Sequence, residues 1–355
     1  MMIGDRHIGP NHPPYIIAEL GVNHDGSVER ALQMVDAAAE AKADAIKLQL
    51  FRAEMLMSRA SRLAGYQAAA GEHDPVEMLR RLELSIEQVA TVVQHAHEHG
   101  LHAIVTVFSL PLVDIATQLE WDAFKTASPD IIHRPLLEAL MATGKPMIVS
   151  TGASTMEEVR RAAAWLAPAS SRTAFLQCVS SYPTRDEDSS FGGIGALRDA
   201  LGAVVGYSDH TPRIDSGAEA VQHGACILEK HLTWNRSAAG PDHAASLDPA
   251  QFTRFVSDAR QRSTPVNNDP ERTVDTRPFD RVKRVLDCER DVRTVSRQSI
   301  CSARAIAKGE RIEVADIVYK RPGTGIEPFR LAEVLGRTAA RAIEADMPIT
   351  PEDLS

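Results

Sequence analysis

Residues 203–243 read AVVGYSDHTPRIDSGAEAVQHGACILEKHLTWNRSAAGPDH. Two short apolar runs, Val204–Tyr207 and Cys226–Leu228, are separated by one helix-length segment. Each run gives way to a polar cluster, Ser208-Asp209-His210 after the first and Glu229-Lys230-His231 after the second. Such runs read as parallel strands buried on both faces, and an α/β barrel gathers its chemistry where its strands end. Two histidines at neighbouring strand ends, with Asp209, Glu229 and Asp242 nearby in sequence, are a donor set suited to a divalent metal. The same residues also read as ordinary polar side chains at strand ends, and this stretch alone does not choose.

The pattern repeats in both directions. Upstream runs at Tyr15–Leu20, Ala45–Phe51, Ala103–Phe108, Ala123–Ala127, Pro146–Ser150 and Ala174–Val179 have strand character. Amphipathic segments alternate with the runs: Val28–Ala41, Ile86–His99, Pro135–Thr143, Thr155–Leu166 and Ser216–His223. Eight such units predict a closed (β/α)8 TIM barrel. An open doubly wound sheet fits the alternation too, but the first strand is not followed by the GxGxxG phosphate fingerprint of its dinucleotide-binding form. After a helix over Pro249–Arg262, the tract Thr264–Arg281 is rich in Pro, Asn, Asp and Arg. From Val295 onward, short strands and turns predominate. The expected organisation is a barrel over 1–263, a linker over 264–292 and a small, mostly β domain over 293–355.

Composition narrows the function classes. Hydrophobic residues make up 44% and charged residues 25%, a globular balance, and the net charge of −9 gives no global electrostatic case for nucleic acid. No apolar run approaches membrane-spanning length, and the first residues lack the apolar centre of a signal peptide. Four cysteines without a CxxC pair favour reduced thiols and a cytoplasmic enzyme.

The strand ends supply candidate site residues. They are Glu19, Lys47, Gln49, Thr106, Lys125, Ser128, Ser150, Ser180, Tyr182, Ser208, His210 and His231. Lysines inside apolar strands need a reason, because a lysine is rarely buried unpaired. One such lysine reads as a structural ion pair with Glu19 or Glu229. Two on one barrel, with several hydroxyls, favour a pocket for phosphate and carboxylate. Glu19 could accept from a sugar hydroxyl, act as a base or pair with Lys47.

Taken together, IIAELGVNHDGS, KLQLF, FKTASPD, IVSTGAST, GYSDHT, ILEKHLT, GPDHAASLDP and KRPGTGI resemble the N-acetylneuraminate (sialic acid) synthase family over nearly the whole chain. The resemblance extends to a C-terminal SAF (antifreeze-like) domain. It implies condensation of phosphoenolpyruvate with an open-chain N-acetylmannosamine-type sugar, giving a nine-carbon 3-deoxy-2-keto acid and phosphate. It also implies a divalent metal, with Mn2+ first and Mg2+ the alternative, held by His210 and His231. Lys47, Lys125, Ser128, Ser150 and Ser208 resemble the phosphoenolpyruvate-binding set. Glu19, Gln49, Thr106, Tyr182 and Asp242 resemble residues around the sugar and the reacting centre. Arg321 resembles an arginine that reaches the N-acyl group from the partner subunit of a domain-swapped homodimer.

The chain departs from the family pattern at three places, all bearing on the sugar. Ser180 stands where many members have Asn, Asn235 stands where Asp is common, and the loop from Ala60 to Asp74 does not match. The competing expectations are a legionaminic or pseudaminic acid synthase, another 3-deoxy-aldulosonate synthase, a Schiff-base lyase using Lys125, and a non-enzymatic binding protein. A sugar-phosphate acceptor would require an arginine cluster in the loops, and the lyase would leave the paired histidines unexplained.

Overall fold

A short antiparallel hairpin, β1 (Met2–Ile3) and β2 (Arg6–His7), precedes eight parallel strands. These are β3 (Tyr15–Gly21), β4 (Ala45–Leu50), β5 (His102–Val107), β6 (Ala123–Thr126), β7 (Met147–Ser150), β8 (Thr173–Cys178), β9 (Val204–Asp209) and β10 (Ile227–His231). They close into a barrel in which β10 pairs with both β9 and β3. The computed structural model describes residues 1–263 and 281–355. The predicted barrel is present, and each expected strand falls within a few residues of its observed place.

Two apolar layers hold the barrel. Ile16, Leu20, Val105 and Val205 on the outer face of the strands pack against Val35, Val92, Leu137 and Phe252 of the surrounding helices. Ile17, Ile104, Ile148 and Ile227 fill the interior near the strand starts, where Ile3 and Ile8 of the hairpin region pack against them. The hairpin therefore closes the end of the barrel from which the strands begin. The opposite end is left for polar side chains.

Strands β9 and β10 run further than their apolar runs suggest, through Ser208-Asp209 and Glu229-Lys230-His231. Side chains alternate across a strand. Ser208, Glu229 and His231 point inward, whereas Asp209 and Lys230 point outward and pair with each other. The polar cluster is thus accommodated on both faces without ending the strand.

After the barrel, residues 287–296 form a 3-10 turn (Asp287–Glu289) and a helix (Arg290–Ser296). They fall largely in the stretch expected to be linker, yet they are seated on the barrel. Glu289 is fully buried, and its carboxylate accepts from the backbone N–H of Ala153 at 2.6 Å and of Ser180 at 2.8 Å. Arg293 and Arg297 both grip the Glu158 carboxylate, each with a contact at 2.7 Å. The small domain then builds its own core from Ile300, Ile306, Ile312, Ile326 and Ile349 around β11 (Ser299–Ser302) and β12 (Ile317–Lys320). Most of the expected linker, 264–280, lies outside the described residues.

Candidate active site

Alternation along the strands aims one set of polar side chains at the barrel mouth. Register places Glu19 beside Lys47 and His231, Thr106 beside Lys125 and Gln49, and Glu229 beside Ser208. All the candidate residues predicted from sequence line one cleft there: Glu19, Lys47, Gln49, Thr106, Lys125, Ser128, Ser150, Ser180, Tyr182, Ser208, His210, His231, Asp242 and Arg321. The cleft encloses about 940 Å³ of empty space, its open mouth included.

Both lysines are ion-paired on the barrel interior. Lys47 pairs with Glu19 and donates to Thr106 Oγ1 at 2.9 Å. Lys125 lies 3.4 Å from Glu229, which also accepts from Ser208 at 2.9 Å. Both lysines, though buried, also line the cleft floor. Burial pushes the Glu19 carboxyl up to about 7, although Lys47 opposes the shift. Burial would raise Glu229 as well, but Lys125 and Lys47 outweigh it and hold that carboxyl below its ordinary value. The two floor carboxyls are therefore shifted in opposite directions, Glu19 upward and Glu229 downward.

Two glycines make room. Gly21 has φ +50°, and a Cβ there would sit 2.8 Å from Glu19 Oε1 and 3.2 Å from Gln49 Nε2. At Gly152 a Cβ would sit 2.7 Å from Ser128 Oγ and collide with Ser180 Oγ. Gly152 instead presents its N–H to Ser128 Oγ at 2.9 Å, and that hydroxyl donates to Ser150 Oγ at 2.9 Å. The result is a small hydroxyl-lined recess beside Lys125, suited to an anion.

His210 and His231 meet at the mouth with ring centroids 5.4 Å apart. His210 donates through Nδ1 to the Val179 carbonyl at 2.7 Å, which leaves Nε2 available. Burial opposes a proton on His210, but Cys178 outweighs it and lifts the group to about 9. Burial and the charge of His210 push His231 well down. His231 Nδ1 is buried without a hydrogen bond, and Asp242 Oδ2 stands 3.8 Å away. Two imidazoles, one with an orphaned nitrogen, fit a divalent metal that keeps open positions. Among the described residues, the group of three ligand-type side chains with donor atoms within 4.8 Å is elsewhere, at Asp36, His95 and His99 on outer helices. Asp209, a neighbour of His210 in sequence, faces away from the cleft.

The rim and walls hold residues that the sequence reading did not select. Phe51, Leu56, Met78, Leu79, Leu82 and Phe108 form an apolar wall. Tyr66 and Gln67, from the loop that departs from the family pattern, also line the cleft, and Tyr66 stacks on Tyr182 at 4.9 Å. Cys178 joins the floor, as does Glu229, which the sequence offers as a metal donor or as a partner for a lysine. Arg321 enters from the small domain, its guanidinium 5.6 Å from the centre of the Phe108 ring. Its backbone is fixed by Arg321 N donating to Leu56 O at 2.8 Å and by Ser58 Oγ donating to Arg321 O at 2.6 Å. The sequence reading expected this arginine in a partner's cleft, whereas in the single chain it occupies the cleft of its own barrel. An exchange between two copies would form the same contacts, and the connection that separates the two cases, 264–280, lies outside the described residues.

Comparison with known proteins places this geometry among relatives. Residues 34–269 match the NeuB family and residues 297–355 match the SAF domain. An uncharacterized protein of Methanocaldococcus jannaschii is 37% identical over 99% of this chain and 98% of its own length. The N,N'-diacetyllegionaminic acid synthase of Legionella pneumophila is 33% identical over 96% of this chain and 95% of its own. The crystal structure of the spore coat polysaccharide biosynthesis protein SpsE of Bacillus subtilis superposes with a TM-score of 0.83 at 29% identity, covering 100% of this chain and 99% of that one. Among the described residues, no helix is long and apolar enough to cross a membrane.

Proposed function

Because the chain belongs to the NeuB family and carries a SAF domain, we propose that it is a nonulosonic acid synthase. In this reading it joins C3 of phosphoenolpyruvate to the aldehyde carbon of an open-chain N-acetylmannosamine-type sugar. Water then adds at C2, the C2–O bond to phosphate breaks, and a nine-carbon 3-deoxy-2-keto acid is released. The observation that carries the reading is the cleft floor: two buried lysines, a recess of hydroxyls and a histidine pair open on one space.

Each group has a task in this scheme. Lys47 and Lys125, with Ser128, Ser150 and Ser208, bind the two anionic ends of phosphoenolpyruvate and hold its C3 in a reactive orientation. His210 and His231 would hold a divalent cation, Mn2+ or Mg2+, which supplies Lewis-acid polarisation of the aldehyde oxygen. Glu19, poised near neutrality, can take a proton from the water that adds at C2. Gln49, Thr106, Tyr182 and Asp242 orient the sugar. Ser180 donates its backbone N–H to Glu289, and its side chain faces the recess. Arg321 closes over the N-acyl end of the sugar, by this reading across a two-fold homodimer. The free cysteines and the anionic substrate fit a cytoplasmic enzyme.

A second acceptor is favoured by one observation. The Legionella relative is named for N,N'-diacetyllegionaminic acid. An acceptor of that diacetamido class would place additional methyl groups against the wall of Phe51, Met78, Leu79 and Phe108. The test is a panel of neutral, N-acetylated, diacetamido and 6-phosphorylated sugars with phosphoenolpyruvate, read by phosphate release and product mass. Release with none of them would remove the synthase reading.

A further inference from the structure

The helix Ile86–Glu98 ends with two histidines on one face, His95 and the C-cap His99, spaced i and i+4. Their rings lie 4.3 Å apart. Asp36 faces them from the neighbouring helix Val28–Glu40. Its Oδ1 lies 2.7 Å from His95 Nε2 and 3.4 Å from His99 Nε2, and one donor atom from each residue lies within 4.8 Å of the other two.

The hydrogen bonding adds an independent observation. His99 Nδ1 lies 2.9 Å from the carbonyl of His95. A carbonyl only accepts, so this nitrogen carries the proton. Nε2 is then the ring nitrogen turned toward Asp36, 3.4 Å from its Oδ1. A backbone bond that fixes the far nitrogen is also the arrangement that orients a histidine for a metal.

We propose that Asp36, His95 and His99 form a binding site for a borderline divalent cation of the zinc class. Two imidazoles and a carboxylate are a common zinc donor set, and hard cations such as Mg2+ prefer all-oxygen shells. Tetrahedral zinc at ordinary bond lengths separates its donors by roughly 3.3–3.5 Å. The His99–Asp36 separation falls within that range and the His95–Asp36 separation is shorter, so side-chain rotations that open the His95–Asp36 contact complete the site and leave a fourth position for water. Each helix leads into the start of a strand, β4 at Ala45 or β5 at His102. The group therefore lies at the end of the barrel opposite the cleft. Its role is to staple two helices together.

The test uses the full chain, stripped with chelator and dialysed, in wild-type, His99→Gln and His95→Gln/His99→Gln forms. ZnCl2 alone is titrated by equilibrium dialysis with metal analysis, and Tm is followed in parallel. Zinc taken up by the cleft histidines is common to all three proteins and cancels in the comparison. The expected result is about one more equivalent bound by wild type than by the double variant, with His99→Gln weakened at least ~10-fold. Zinc should raise the wild-type Tm by roughly 2–5 °C more than that of the double variant. Activity under saturating Mn2+ should match in all three. Equal zinc stoichiometry and equal Tm shifts across the three proteins would overturn the site and leave a hydrogen-bonded His–carboxylate cluster.

Discussion

Lys230 Nζ lies 2.6 Å from Asp209 Oδ2, and both side chains are closed to solvent on the outer side of the barrel wall. Phe255 of the helix Pro249–Ser263 covers the ammonium at 5.7 Å, and Ser216 and the backbone N–H of Thr211 complete the shell of Asp209. The two residues are register partners on β9 and β10. Each immediately precedes a histidine of the mouth, so the pair ties together the two strand ends that carry His210 and His231. Leaving one buried charge without its partner costs about 3–5 kcal/mol, whereas replacing both can be neutral. We expect Lys230→Met alone to lose about that much in urea unfolding, and Asp209→Leu/Lys230→Met to recover most of it. A double variant no more stable than the single would show that the two residues act separately.

His210→Ala and His231→Ala are each expected to abolish synthase activity while leaving the fold intact. Chelator treatment should do the same to wild type, with Mn2+ restoring turnover. Direct Mn2+ titration by electron paramagnetic resonance should show weaker binding in both variants. Full activity after exhaustive chelation would remove the metal from the scheme.

Lys47→Ala and Lys125→Ala probe the anion floor. Hydrogen bonds to a charged group contribute roughly 1.5–3 kcal/mol, which corresponds to a loss of about ten- to a hundredfold in kcat/KM. The loss should be concentrated in the KM for phosphoenolpyruvate. A variant with wild-type kinetics would make that lysine purely the partner of Glu19 or Glu229.

Glu158 couples the barrel to the segment behind the cap. Burial alone would raise its carboxyl, but Arg293 and Arg297 hold it far below its ordinary value of 4.5. The proton therefore binds the unfolded chain more readily. The stabilisation is complete above about pH 4.5 and is lost as pH falls toward the folded-state value. Glu158→Gln should cost about 3–5 kcal/mol at pH 7, because Arg297 stays buried. The difference from wild type should shrink steadily below about pH 4. Urea unfolding between pH 3 and pH 7 measures it, and a gap that does not change with pH would assign the effect to packing.

Subunit mixing separates capping within a chain from exchange between chains. Arg321→Ala should be poor alone and His231→Ala inactive alone. With exchange, a mixed dimer contains one site with both residues and one with neither, so activity rises after mixing. With capping in cis, every site lacks one residue and activity stays flat. Native mass measurement shows whether mixed dimers formed.

The parts of the site legible in sequence were those that broke a local rule. Lys47 and Lys125 stood out as charges inside apolar runs, and His210 and His231 stood out by following two such runs in parallel positions. Asp209 and Lys230 break the same rule but face outward, and strand period alone does not say which face is the interior. Phe51, Met78 and Phe108 read as core in any linear pattern, because an apolar cleft wall and an apolar core use the same residues. Tyr66 and Gln67 lay in a loop with no strand or long helix to anchor a reading. The barrel itself was legible because eight repeats of one pattern reinforce each other, whereas the hairpin β1–β2 has too few residues to show a period.

Glu289 has a further meaning for where this protein can be divided. The SAF match begins at residue 297, but the carboxylate that holds the backbone of Ala153 and Ser180 belongs to residue 289, and Arg293 lies between the two. Sequence families mark the unit that has been inherited, and buried contacts mark the unit that can be moved. A chimera joined at 297 would pair a foreign cap with this chain's own fastening, and one joined before 287 would replace both together. Only the second kind of graft tests whether caps are interchangeable.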